Sequence, residues 1–168
     1  MRKITTHFKV IAGVLVLLLL VACGPQNPPS APVEFIAQAE IHFGNSTFEA
    51  QITQQRPGNL EVEFIAPPEL VGMQISLQGE SAIVHHDELQ SEFAQSVLPA
   101  SNFVVLLNAV LLRLAQPNLE GFTQGRDGSF TLQGTQNGLQ YRAVISAEGM
   151  LEQLQVPAAS LEVILLPN

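Results

Sequence analysis

"NFVVLLNAVLLRLA", residues 102–115, has the residue types of a helix and almost no polar side. Only Asn102, Asn108 and Arg113 are polar. At ~100° per residue, Asn102 and Arg113 fall on nearly the same side and Asn108 lies ~120° from them. A helix of this kind needs apolar neighbours around most of its circumference. A membrane does not supply them, because fourteen residues rise only ~21 Å against a ~30 Å hydrocarbon core. A flat sheet covers one side only. A strongly curved antiparallel sheet, apolar on its concave face, covers more, and the flanking sequence provides it.

Upstream, the apolar residues recur at every second position. Val33, Phe35, Ala37, Ala39, Ile41 and Phe43 share one face, with Glu34, Gln38, Glu40 and His42 on the other. This is a half-buried strand. "TFEAQIT", "LEVEFIA", "MQISLQG" and "ESAIVHH" repeat the pattern between the turns "GNS", "RPGN" and Pro67-Pro68. "DELQSEFAQS" (87–96) places Leu89 and Phe93 four residues apart, which predicts a short helical segment. Ser101 is the expected N-cap of the long helix and Pro117 its stop. Downstream come "GSFTLQG", the hairpin dipeptide Asn137-Gly138, "LQYRAVIS", "MLEQLQV" and "SLEVILL". The expected fold is α+β but mainly β: about nine antiparallel strands in an unclosed half-barrel, wrapped around one central apolar helix, with a short helical segment beside it. The bland expectation is a concavity simply filled by side chains.

The first residues read as a leader. Arg2, Lys3 and Lys9 make a basic start, and residues 10–22 are an apolar run ending in small residues, the layout of a secretory signal. "Leu20-Val21-Ala22-Cys23-Gly24" resembles the bacterial lipobox, which implies lipidation (palmitate included) of Cys23 as the mature N-terminus. An ordinary cleaved signal with an incidental Cys, or an uncleaved anchor, is the alternative. The expected organisation is a signal peptide over 1–22, a lipidated Cys and flexible tether over 23–32, rich in Pro, Gly, Asn and Ser, and a single domain over 33–168. The expected location is the cell membrane, lipid-anchored on the extracytoplasmic side. Cys23 is the only Cys, so the domain has neither an internal disulfide nor a thiol for catalysis.

Without the leader's three basic residues, Arg56, Arg113, Arg126 and Arg142 remain against 15 acidic residues, a formal charge of −11. Phosphate neutralisation supplies most nucleic-acid affinity, so no nucleic-acid partner is expected. Anionic headgroups are equally unsuited.

No catalytic residue, cofactor or metal site is expected. There is no G-x-S-x-G elbow, phosphate loop or dinucleotide fingerprint, and no Lys after residue 9. "HHDE" (85–88) has metal-ligand types, but adjacent strand residues point to opposite faces. His42 would meet His85 or His86 only through sheet pairing. Glu61 and Glu63 share a strand face and could mimic a carboxylate pair, although a solvated outer face explains them equally.

The stretch "LEVEFIAPPELVGMQISLQGES", with "LPASNFVVLLNAV" placed as a central helix, resembles the half-barrel lipoprotein carriers. These include LolA, LolB and the mycobacterial lipoproteins LppX and LprG. It is similar also to small lipoproteins of Firmicutes. The resemblance covers residues 33–166 and rests on arrangement. It implies an unclosed barrel of eleven or so strands, helices as a lid, and an apolar cavity for acyl chains. No counterpart of the Arg that LolA-type carriers use in their lid is present, so no such role passes to any Arg here. The expectation is therefore a membrane-anchored, non-enzymatic lipoprotein that binds or carries a lipid or acylated protein. Residues 102–115 and 87–97 would be its lid, and Phe35, Phe64, Ile75, Leu77, Phe103, Leu107 and Leu111 would line its cavity. The alternative is a closed-core envelope interaction module with no ligand.

Overall fold

The structure, a computed structural model, describes residues 32, 34–99, 101–116 and 121–166. The leader, Cys23, the tether up to residue 31, Val33 and Pro117 lie outside the described residues.

Six strands precede the helix: β1 (Phe35–Phe43), β2 (Ser46–Arg56), β3 (Asn59–Ala66), β4 (Gln74–Gln78), β5 (Ser81–His86) and β6 (Leu89–Ala94). The helix α1 (Phe103–Leu114) follows. Five strands come after it: β7 (Phe122–Gln124), β8 (Phe130–Gln136), β9 (Leu139–Ile145), β10 (Leu151–Val156) and β11 (Leu161–Leu166). All eleven form one antiparallel sheet in the order β6-β5-β4-β3-β2-β1-β11-β10-β9-β8-β7. Each half of the chain is a meander, and the first and last strands join them, with Gln38 opposite Leu166 and Phe43 opposite Leu161. The sheet does not close on itself; β6 and β7 are its edges. The expected class is observed, with two strands more than the expected nine.

Both extra strands are those edges. Residues 87–96 do not form the expected helical segment. Asp87 takes a left-handed φ of 54° in a tight turn, and Leu89–Ala94 runs back along β5, pairing Leu89 with His86 and Ala94 with Ser81. Only a single 3-10 turn, Gln95–Val97, is helical. The i, i+4 spacing of Leu89 and Phe93 misleads because an edge strand with both faces wet has no period-two apolar signal. Leu89 itself is 76% exposed.

Asn137 and Gly138 close the β8–β9 hairpin with φ values of 51° and 78°. Two positive values in succession are what a type I′ turn requires.

The helix begins one residue later than expected. Asn102, rather than Ser101, caps it, its Oδ1 accepting from the N–H groups of Val104 (3.0 Å) and Val105 (3.3 Å). Replacing a side-chain cap by Ala costs ~1 kcal/mol. Asn102→Ala is expected to lower the urea midpoint by that equivalent without changing the slope of the transition.

Strand order shows how the sheet meets α1. The helix contacts β3, β4 and β8. Between β3 and β8 lie six strand spacings of ~4.8 Å, ~29 Å on a flat sheet, whereas a helix with its side chains is only ~10–12 Å across. The sheet therefore curls around the helix. Val104, Leu106, Leu107, Val110, Leu111 and Leu114 are buried by it. Each such side chain contributes ~1.5–3 kcal/mol on burial. Edge-to-face ring contacts lock the N-terminal end, Phe48 to Phe64 at 5.9 Å and Phe64 to Phe103 at 6.1 Å.

In the second half, Tyr141 lies opposite Gly134, and a Cβ at 134 would come within 2.5 Å of the tyrosine ring. Glycine there leaves room for the ring to bury itself. Burial pushes the Tyr141 phenol above its ordinary value of 10.0, with Arg113 opposing more weakly. The folded state thus favours the neutral phenol. That contribution is complete below pH 10 and is lost as pH rises through the raised value. Tyr141 is the only tyrosine, so phenolate absorbance reports it directly. Native protein is expected to titrate at higher pH than urea-unfolded protein, and Tyr141→Phe to flatten the alkaline loss of stability.

Candidate ligand groove

The helix is not covered completely. Val105, Asn108, Ala109 and Leu112 sit at i, i+3, i+4 and i+7, a single stripe of its surface. Opposite this stripe run the β2–β3 turn at Gly58, the β4–β5 turn at Gly79 and Glu80, and the end of β6 at Ala94, Gln95 and Ser96. From the other half of the sheet come Gln136 and Asn137. Together they bound a groove of about 790 Å³. The helix side and Leu98 supply an apolar wall, and the turns supply amides, hydroxyls and backbone.

Two features set its chemistry. Among the described residues, Glu80 is the only ionisable side chain that lines it. Asn108 is 4% exposed, and its Oδ1 is buried with no hydrogen-bond partner among the described residues. Most buried polar atoms are satisfied, so an orphan acceptor on a residue that lines a groove is informative.

The residues named from sequence fall elsewhere. Phe64, Leu77, Phe103, Leu107 and Leu111 are buried in the core, and Phe35 and Ile75 pack against it, partly buried. They are brought together, but by packing on one another; none lines the groove. Cys23 lies outside the described residues. Of residues 87–97, Ala94, Gln95 and Ser96 border the groove, as a strand end and a 3-10 turn rather than as a helix. Sequence reading missed Asn108 as a site residue, although its offset from Asn102 and Arg113 around the helix was its signal.

The other polar clusters stay apart. His85 and His86 sit on β5, opposite Gln90 and Leu89 of β6. His42 is on β1, with β2, β3 and β4 in between. Its Nε2 lies 2.9 Å from a Glu40 carboxylate oxygen and its Nδ1 3.1 Å from the Thr47 hydroxyl. Glu61 and Glu63 face outward from β3, Glu61 accepting from the Ser76 hydroxyl at 3.5 Å. Among the described residues no three metal-ligating side chains come together, and no helix is long and apolar enough to cross a membrane.

The outer face has an apolar depression of its own, about 610 Å³, bordered by Ile36, Val144, Met150, Ile164 and Leu166. Ile36 is 56% and Leu166 42% exposed.

No family model matches the chain, and no curated protein matches it. Similarity is found to solved structures. An uncharacterized conserved protein from Thermus thermophilus superposes with a TM-score of 0.51 at 13% identity, over 82% of this chain and 77% of that one. A LolA superfamily protein from Nitrosomonas europaea superposes with a TM-score of 0.41 at 12% identity, over 82% of this chain and 84% of the other. The first likeness shows a shared fold.

Proposed function

We propose that this chain is a lipid-anchored, non-enzymatic envelope protein that holds an amphiphilic, acyl-bearing ligand in the groove beside α1. The observation that carries this reading is the uncovered helix stripe Val105, Ala109 and Leu112 facing a groove of about 790 Å³. Ligand pockets typically span ~300–1,000 Å³ and combine apolar walls with a few polar groups. The mechanism is burial without covalent chemistry. An acyl chain lies along the helix while its polar end meets the polar groups that line the groove.

The anchor belongs to the same proposal and is supported by the lipobox-like "LVACG" at residues 20–24. Metabolic labelling with a palmitate analogue should mark the native chain and leave Cys23→Ala unmarked; equal labelling of both would remove the anchor from the proposal.

Binding is tested by organic extraction and mass spectrometry of protein purified without the leader and Cys23. Near-stoichiometric co-purifying lipid is the expected result. Lipid-free protein that also gains no acyl ligand from added vesicles would overturn it. A second reading, a closed-core module that docks another envelope protein, is favoured by the exposed apolar depression around Ile36 and Leu166. On that reading Ile36→Glu abolishes partner capture and leaves lipid content unchanged.

A further inference from the structure

Resting on the lipid reading of the groove, the geometry points to a narrower ligand: an uncharged acyl compound that carries a hydrogen-bond donor, hydroxyl or amide N–H, where its polar end meets the chain, with Asn108 as the residue that selects it. Asn108 lies on the same helix stripe as Val105 and Leu112, so a chain lying along those two passes its side chain. Its Oδ1 is an acceptor only, it is buried, and nothing among the described residues donates to it. An acceptor held in this way loses water without regaining a bond, unless a ligand supplies the donor.

The same logic rejects other amphiphiles. An ionised fatty acid has only acceptor oxygens, so it can take the Nδ2–H donors of Asn108 but leaves Oδ1 unpaired. Glu80, the sole ionisable lining residue among those described, adds like-charge repulsion to any carboxylate or phosphodiester. A fatty methyl ester avoids the charge but brings no donor. A monoacylglycerol brings hydroxyls, and a fatty amide brings N–H.

The test uses the full chain in phosphatidylcholine nanodiscs, with four diazirine-bearing probes of equal chain length: monoacylglycerol, primary fatty amide, methyl ester and free fatty acid. Label is located by mass spectrometry on residues 98–112. The monoacylglycerol, the amide or both should label this segment about three- to tenfold more than the ester and the acid, the factor one net hydrogen bond supports. Which of the two prevails identifies a glycerol-type or an amide-type source. Asn108→Leu and Asn108→Ala should bring the favoured probe down to the level of the ester while ester labelling persists. Equal labelling by all four probes in the native chain, or a preference unchanged in a folded variant, overturns the role of Asn108 and leaves the lipid reading standing. No labelling of this segment by any probe overturns both.

Discussion

Leu107→Asp is expected to abolish the folded domain. Leu107 is fully buried, at the centre of the helix face against the sheet. Truncation of a buried Leu to Ala alone costs ~2–5 kcal/mol. Aspartate adds the desolvation of a carboxylate, placed in a core made almost wholly of Leu, Ile, Val, Phe and Ala. Against a typical domain stability of ~5–15 kcal/mol, the two costs together remove most or all of it. Circular dichroism should show loss of the cooperative transition, and the variant should partition to the insoluble fraction. A urea midpoint near that of the native chain would mean that α1 is not internal.

Asn108→Leu, one residue further on, is expected to act in the opposite direction. It replaces a buried, unpartnered amide oxygen by an apolar group of similar size. An unsatisfied buried polar group costs ~1–3 kcal/mol, and leucine is also the better helix former by a few tenths of a kcal/mol. The variant should therefore be more stable by about 1–3 kcal/mol, seen as a higher midpoint in both thermal and urea unfolding. Lower stability would mean that the amide is satisfied in the folded chain. A stability gain combined with loss of ligand preference would be the signature of a residue kept for binding at the expense of the fold.

Much of the architecture was legible from side-chain period. Strands such as Ala37–Ile41, Ala50–Ile52 and Leu60–Phe64 alternate because one face joins the core that contains α1 and the other is wet. The all-round apolar helix required cover on several sides, and the curled sheet gives it. What escaped was structure that leaves no such imprint. β6 has both faces mostly in solvent, and β7 is only three residues long, so neither carries enough apolar residues to announce itself. Ile36, Ile164 and Leu166 interrupt the polar outer face with an apolar depression.

The groove was harder to read for a different reason. Its walls are hairpin turns and the end of a strand, brought beside the helix by the curl of the sheet. Gly58, Gly79 and Asn137 look like ordinary turn residues until three separate hairpins converge. The residues that the sequence does single out, Phe64, Leu77 and Leu107, are the most hydrophobic, and the most hydrophobic residues are consumed by the core. A binding surface in such a fold is found among the second-best hydrophobes, Val105, Ala109 and Leu112, beside a polar atom left over.

The pairing of β1 with β11 also dictates when the molecule is finished. Of the eleven strands described, Phe35–Phe43 is laid down first, and the strand that completes its second side, Leu161–Leu166, comes last. Until then two crescents of hairpins share no seam, and joining them closes a loop that spans nearly the whole domain, a slow step in any folding reaction. On the envelope location proposed above, the chain crosses a bilayer before it folds, and the sheet would stay unzipped, and so transportable, until the six-residue strand Leu161–Leu166 has reached the far side.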